Sequence, residues 1–250
     1  MQWGDLIERL ITENAGIASL SFLYQNAHKY KKLPVGDWQK TLRGVLYREV
    51  KRGRFIKVGL GVYGLPTFSA ESSAYSSAIS QGEPIHFVTN AKDPHSTIEG
   101  MLIELGNFYD FLTYTCNKNK IFDGKRLSSV EALHEIPYFT YEELIRIVRK
   151  MDVIWFSKKA KHVFPKYIYE VEHSTDFSTS MLKMFQLKDF DTKFILTSWE
   201  SRREICDERM NQEPFSQLKS KFAFRSFELI AQLYFSAVSH FELQSQFLSE

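Results

Sequence analysis

The chain has 250 residues, of which 44% are hydrophobic and 15% aromatic, and it carries 32 basic against 30 acidic side chains. This composition supports a large packed core and excludes an intrinsically disordered protein. No apolar run reaches the roughly 18–20 residues of a membrane span, and the first residues lack the pattern of a signal peptide, so we expect a cytoplasmic protein without membrane contact.

Charge is distributed unevenly along the chain. Residues 1–66 carry 11 basic against 5 acidic side chains, whereas the remainder carries 21 against 25. Residues 67–94 are rich in serine and alanine and are interrupted by glycine and proline, a composition typical of a linker. We predict an N-terminal domain over 1–66, a linker over 67–94 and a second domain over 95–250, with a polyanion as the partner of the first domain.

The N-terminal part is predicted to contain three helices followed by a β-hairpin. Apolar residues recur at helical spacing from Trp3 to Ile11, a second helix covers Leu20 to His28, and a third follows Asp37, which is a favourable N-cap residue. Glycines separate the short apolar segments 55–58 and 62–65, as in a tight hairpin. Three helices followed by a hairpin indicate a winged helix, whose third helix would enter the major groove of DNA.

One face of the predicted third helix carries basic and aromatic side chains at spacings of three and four residues, which suits either solvent or phosphate groups. The following run Gly53–Leu65 resembles the wing of the HARE-HTH family. Winged helices of that family occur in the bacterial RNA polymerase delta subunit, in chromatin proteins and fused to restriction-type nucleases. The resemblance covers roughly residues 1–66 and implies contact with DNA. The residues expected to contact DNA are Lys40, Arg43, Tyr47, Lys51 and Lys57.

The second part is predicted to be an α/β unit. Its elements in order are a helix over 95–108, a strand over 111–116, a short helix over 140–149, strands over 152–156 and 167–172 joined by a basic loop over 157–162, a helix over 178–187, a strand over 193–197 and a helix over 228–239. Glu170 and Glu172 lie two residues apart on a strand, so both project to the same face. Two parallel carboxylates repel each other, and a divalent cation such as Mg²⁺ is the usual compensation.

The acidic residues on consecutive strands, Asp152 and the run Glu170-Val171-Glu172, resemble the motif of the PD-(D/E)XK superfamily of restriction-endonuclease-like nucleases. The resemblance implies that Asp152, Glu170 and the carbonyl of Val171 hold Mg²⁺, or Mn²⁺ in its place. Most members have lysine at the position of Glu172, but some restriction enzymes have Glu-x-Glu there. Met151 stands at the position where the family usually has proline. Glu172 would bind a second metal ion or accept a proton from the attacking water.

Many members of this superfamily add an acidic residue from the first helix of the domain. Glu99 and Glu104 both flank the apolar stripe of that helix, at about equal angles from its centre, so periodicity leaves both open. Glu104 is preferred as the fourth catalytic residue, because the run Glu104–Gly106 leads directly into the first strand and resembles the corresponding turn of these nucleases.

Several other polar residues have ordinary interpretations. Lys183 could reach a phosphate, although an exposed lysine on an amphipathic helix is the commoner situation. His95 is interpreted as a cap of the helix that it begins. Cys116 and Cys206 are far apart and form no Cys-x-x-Cys pair, which predicts two reduced thiols and excludes a zinc ribbon.

The sequence therefore predicts an α/β protein in which an N-terminal winged helix-turn-helix precedes a restriction-endonuclease-like domain, with a central mixed sheet flanked by helices. The predicted function is that of a Mg²⁺-dependent endonuclease acting on double-stranded DNA. A homodimer is expected, because each chain offers one site for two DNA strands. Two alternatives stay open: a non-catalytic DNA-binding regulator with a nuclease-like dimerisation domain, which the missing lysine favours, and a nuclease that acts on RNA.

Overall fold

The computed structural model describes residues 1–68, 74–80, 82–159, 162–174 and 176–247. Parts of the predicted linker (69–73 and 81) and of the predicted basic loop (160–161) lie outside the described residues. None of the described helices is long and apolar enough to cross a membrane.

The N-terminal part contains three α-helices and a three-stranded antiparallel sheet. Its elements are α1 Trp3–Glu13, β1 Ile17–Ser19, α2 Leu20–Asn26, α3 Trp38–Lys51, β2 Ile56–Gly59 and β3 Val62–Gly64. The predicted hairpin is present as β2 and β3, and Gly61 between them has φ +68°, which favours glycine. The unpredicted strand β1 pairs with β3. Its three buried residues run directly into α2, and periodicity cannot separate so short a strand from a helix.

The remaining elements begin with two short helices inside the predicted linker. In order they are α4 Ala74–Ile79, α5 Pro84–Thr89, α6 Pro94–Phe108, β4 Leu112–Thr115, β5 Ile121–Phe122, β6 Lys125–Arg126, α7 Leu127–Val130, α8 Glu142–Val148, β7 Val153–Lys159, β8 His162–Val171, α9 Ser178–Phe185, β9 Lys193–Ser198, α10 Arg203–Met210, β10 Phe222–Ser226 and α11 Phe227–Phe247. Three short 3-10 helices lie at Ala27–Lys29, Glu200–Arg202 and Phe215–Leu218.

A five-stranded mixed sheet forms the centre of this part, in the order β10-β9-β8-β7-β4. β7 is antiparallel to β4 and β8, whereas β8, β9 and β10 run parallel. Alternate residues of β7 pack on opposite faces. Val153 and Trp155 join the cluster that contains α6 and α11, and Ile154 and Phe156 join the one that contains α9. The predicted fold class, α/β with a mixed sheet flanked by helices, is confirmed.

The hairpin formed by β7 and β8 is longer than predicted. The segment predicted as a basic loop continues both strands, since Ser157 pairs with Phe164 and Lys159 with His162. Polar and basic side chains favour a loop in sequence, but main-chain pairing with the neighbouring strand extends the ladder past the last apolar residue. The loop prediction for residues 157–159 and 162 is therefore wrong.

The N-terminal and C-terminal parts share one hydrophobic cluster. It contains side chains from α1, such as Leu6, together with side chains from α11, such as Phe241. A hydrogen bond also joins the two parts, since the side-chain amide of Asn14 donates to the carbonyl of Ser129 at 2.8 Å. The helices α4 and α5 both pack against α11. The division of the chain into two domains joined by a linker stays a prediction.

Candidate active site

Asp152 lies directly before β7, where the start of this strand meets the end of β8. Its Oδ2 atom accepts a hydrogen bond from the backbone nitrogen of Val171 at 2.8 Å, and its Oδ1 atom accepts one from Asn117 at 3.3 Å. In an extended strand the N–H and C=O of one residue point to the same edge, so the carbonyl of Val171 also faces the side of Asp152. The sheet thus brings together Asp152 and the end of β8.

The helix α6 adds two side chains to Asp152. His95 Nε2 lies 3.5 Å from Asp152 Oδ2, and His95 Nδ1 lies 3.4 Å from Glu99 Oε2. Asn117 donates to Glu99 Oε1 at 2.6 Å as well as to Asp152, so one amide links the two carboxylates. One ligand atom from each of His95, Glu99 and Asp152 lies within 4.8 Å of the others. This spacing is short enough for Glu99 and Asp152 to bind one metal ion, with His95 in contact with both carboxylates.

Glu170 at the end of β8 and Glu172 directly after it both face α9, as their spacing predicts. Ser180 donates to Glu170 Oε2 at 2.9 Å and also contacts Glu172 Oε1. Lys183 Nζ forms an ion pair with Glu170 Oε2 at 2.5 Å. Lys183 therefore lies beside the acidic residues, and its contact with Glu170 comes from the next helix of the chain.

Several groups around Asp152 have shifted pKa values. Burial and the negative charge of Asp152 raise the pKa of Glu170 to about 7, against the lowering effect of Lys183. Burial, followed by the charges of Asp152, Glu99 and Glu170, raises the pKa of the Cys116 thiol to about 12. Burial lowers the pKa of His95, but its contacts with Asp152 and Glu99 outweigh this and raise it to about 10. The imidazole is thus a cation that partly neutralises the carboxylates.

One oxygen atom of this cluster lacks a polar partner. Glu170 Oε1 is buried and accepts no hydrogen bond from the residues that the structure describes, whereas the buried Glu99 Oε2 is contacted by His95 Nδ1 at 3.4 Å. Such an orphaned oxygen is costly unless another group satisfies it. The donor set is rich in carboxylate oxygens, which Mg²⁺ and Mn²⁺ prefer. The residues present therefore fit a divalent cation.

Glu104, the preferred helix residue of the sequence analysis, lies in a different cluster. Its carboxylate is fully buried and forms an ion pair with Lys125 at 2.8 Å. It also accepts hydrogen bonds from the backbone nitrogen of Leu60 and the hydroxyl of Tyr234, each at 2.7 Å. The structure thus brings Glu99, and not Glu104, to Asp152.

The five residues expected to contact DNA are not equally accessible. Lys40, Arg43 and Lys51 are exposed on α3. Tyr47 is half-buried, and Lys57 forms an ion pair with Glu242 of α11 at 2.7 Å. The accessible part of the predicted surface is therefore the α3 face, whereas Lys57 already has an acidic partner within the chain.

Sequence reasoning missed part of this cluster. His95 is not a helix cap, because Asp93 accepts the hydrogen bond from the Ser96 nitrogen at the start of α6. The i, i+4 spacing of His95 and Glu99, which places them on one helix face, was the available signal. Asn117 follows β4 without any pattern, so its contact with both carboxylates emerges only from the fold.

The mixed sheet flanked by helices, with an acidic cluster at its strand ends, defines an α/β protein with a candidate metal site. Residues 77–249 match the family model described as the type II restriction enzyme NmeDI C-terminal domain. Because the match covers more than half of the chain, the chain belongs to this family. No curated protein and no solved structure matches the chain significantly.

Proposed function

We propose that this protein is a metal-dependent endonuclease that hydrolyses phosphodiester bonds of double-stranded DNA. The observation that carries the proposal is the approach of Glu99 and Asp152 to within 4.8 Å beside the end of β8, where Glu170 Oε1 is buried without a hydrogen-bond partner. The restriction-enzyme family of the chain supports the same reaction class.

The cluster would hold Mg²⁺, or Mn²⁺ in its place, through Asp152, Glu170, Glu99 and the carbonyl of Val171. When bound, a divalent cation lowers the pKa of a water molecule and neutralises charge that develops on the phosphate. This extends the predicted set of Asp152, Glu170 and Val171 by Glu99, which takes the place intended for Glu104. His95 would orient Asp152 and Glu99 through its two ring nitrogens. Residues next to metal ligands commonly act in this way.

Lys183 would take the role of the lysine that most superfamily members have at the position of Glu172. Its ammonium group lies 2.5 Å from Glu170, next to the cluster. It can therefore orient Glu170 and place a positive charge beside a bound phosphate. Glu172, which shares Ser180 with Glu170, would accept the proton of the attacking water or hold a second cation.

The N-terminal part would direct the enzyme to DNA as a winged helix. Its three helices and three-stranded antiparallel sheet support this, as does its excess of basic residues. Lys40, Arg43 and Lys51 on α3 would contact phosphates or base edges. Cutting both strands of a duplex with one site per chain calls for two copies of the protein.

Plasmid cleavage tests the proposed reaction. Supercoiled plasmid is incubated with Mg²⁺ or Mn²⁺ and with wild-type protein or the Glu170→Gln variant. We expect wild-type protein to nick or linearise the plasmid and Glu170→Gln to be slower by at least about 100-fold, because an amide is a weaker and uncharged metal ligand.

Glu143→Gln is the matched control. Glu143 is exposed on α8, so its loss should leave the cleavage rate unchanged. Cleavage by Glu170→Gln at the wild-type rate would remove the site from the proposal. DNA binding by wild-type protein without cleavage in either metal would instead favour the non-catalytic regulator. RNA cleavage in place of plasmid cleavage would favour the RNA-directed nuclease.

A further inference from the structure

The helix α11 has one face on the protein and one face on solvent. Its inner face is buried by Phe227, Tyr234 and Phe241, among others. The opposite face carries a row of exposed side chains, here called the α11 stripe. Its members are Leu229, Leu233, Ser236, His240, Leu243 and Phe247. The leucines are 47%, 42% and 65% exposed and Phe247 is 89% exposed, so the stripe presents a large apolar area to solvent.

The spacing within the α11 stripe is four, three, four, three and four residues. This is the spacing of a coiled-coil seam, in which every third or fourth residue meets the neighbouring helix. The face of a helix that contacts only water normally carries polar or charged side chains, and a row of exposed leucines is unusual there. The stripe therefore has the pattern of a helix that packs against a second helix.

No charged side chain interrupts this face among the described residues of α11. Its two acidic residues lie off the stripe and have partners outside α11, since Glu228 accepts from the Glu200 nitrogen and Glu242 pairs with Lys57. The exposed neighbours of the stripe are the uncharged Gln232 and Gln244. An identical face brought against this one would meet no like-charge repulsion.

The α11 stripe is also symmetric about its own middle. If two copies of the helix run antiparallel, Leu229 meets Phe247, Leu233 meets Leu243, and Ser236 meets His240. Every apolar residue then finds an apolar partner, and the hydroxyl and imidazole can hydrogen-bond in the centre. One polar layer within an apolar seam is a known device for setting the register of paired helices.

We propose that two copies of this chain associate through the α11 stripe, antiparallel and about a two-fold axis. The stripe spans about 27 Å of helix at 1.5 Å per residue, and each end makes the same contact, as an isologous interface requires. The interface itself does not depend on the proposed nuclease activity. Its use, to bring two active sites to one duplex, rests on that activity.

The mass of the protein in solution tests the interface. Size-exclusion chromatography with light scattering should give twice the 29.3 kDa chain mass for wild-type protein without DNA. The double variant Leu233→Glu, Leu243→Glu should associate at least about 100-fold more weakly, because four carboxylates would enter one apolar seam. Ile205→Glu is the matched control, since Ile205 is a 47% exposed apolar residue on α10, and it should remain dimeric.

Cysteine cross-linking tests the antiparallel direction. A mixture of Ser236→Cys and His240→Cys protein should give a disulfide-linked heterodimer under mild oxidation, whereas neither variant alone should cross-link efficiently. Efficient cross-linking of Ser236→Cys alone would overturn the antiparallel arrangement. The interface would be overturned if wild-type protein had a mass of 29.3 kDa at every concentration. It would also be overturned if the double variant Leu233→Glu, Leu243→Glu remained dimeric. Neither readout uses cleavage, so failure of the nuclease proposal is seen separately.

Discussion

At the scale of single residues, the candidate site is a balance of buried charges. The negative charge of Asp152 helps to raise the pKa of both Glu99 and Glu170, and His95 and Lys183 are the cations that offset these carboxylates. A carboxylate cluster that is only structural would gain nothing from such repulsion. A divalent cation would add positive charge to this cluster and give the buried Oε1 atom of Glu170 a partner.

This balance predicts how metal affinity changes with pH. The pKa of Glu170 is raised to about 7, so its carboxyl group holds a proton below that pH and must release it to bind a cation. Affinity should therefore fall by up to about tenfold per pH unit as the pH decreases below 7. Thermal denaturation should show a larger Mn²⁺-induced increase in Tm at about pH 8 than at about pH 6.

The matched variants identify the group that titrates. Glu170→Gln should show little Mn²⁺ stabilisation at either pH, and Glu143→Gln should behave as wild-type protein. An equal Mn²⁺-induced shift at both pH values in wild-type protein would contradict the role of Glu170 as a ligand.

Residue patterns could predict only part of the site. Asp152, Glu170 and Glu172 could be proposed as site residues because strand alternation and the spacing of acidic residues are local properties, and this assignment stays a prediction. Glu99 and Glu104 lie on either side of the same apolar stripe, and both are fully buried. Glu99 lies close to Asp152, whereas Glu104 pairs with Lys125. This difference depends on which elements pack against each side of α6.

At the scale of elements, α6 is positioned by close packing at two glycines. A Cβ atom on Gly100 would overlap the ring of Phe122, and one on Gly106 would lie 2.5 Å from Trp155 Nε1. The indole also donates to the carbonyl of Leu102 at 3.0 Å. These contacts hold α6 against β5 and β7. They therefore fix the position of Glu99 relative to Asp152.

A pair of glycine substitutions tests this packing. Gly100→Ala should destabilise the protein by about 1–3 kcal/mol, because the added methyl group has no space. Gly44→Ala, in the exposed helix α3, should stabilise it by about 0.5–1 kcal/mol, since the nearest atom to the new Cβ is 3.9 Å away and glycine weakens a helix. Urea unfolding measures both, and a loss of stability in both variants would argue against the packing explanation.

The elements themselves were largely predictable, and their lengths were not. Amphipathic period identified α1, α3 and α6, and apolar runs identified β4, β7 and β9. The extension of β7 over residues 157–159 and of β8 over residues 162–166 was missed, since strand pairing there uses the backbone and not an apolar pattern. The two-residue strands β5 and β6 are too short to have any period.

At the scale of the whole molecule, a buried ion pair is hydrogen-bonded to the N-terminal part. Lys125 has no exposed side-chain area, pairs with Glu104 and donates to the carbonyl of Val58 at 2.6 Å. Glu104 in turn accepts from Leu60 of the β2–β3 hairpin and from Tyr234 of α11. One polar cluster thus connects the hairpin with α6 and α11.

Removing one charge of this cluster should destabilise the entire fold. Lys125→Met would leave Glu104 buried and without its cation, which typically costs about 3–5 kcal/mol. Adding Glu104→Gln should recover part of the loss, because the amide oxygen can still accept from Leu60 and Tyr234 while the charge is gone. Urea unfolding of both variants measures the difference, and a double variant no more stable than Lys125→Met would contradict this account.

Local patterns along the chain were sufficient for the class of fold, for most helices and strands, and for the acidic residues on consecutive strands. These features repeat every two to four residues, so a short stretch of sequence contains all the information. The selection of Glu99, the contacts of His95 and Asn117, and the burial of Glu104 beside the hairpin were settled by packing alone. They depend on contacts between residues that are distant in the chain, and no local period encodes which helix face meets which strand.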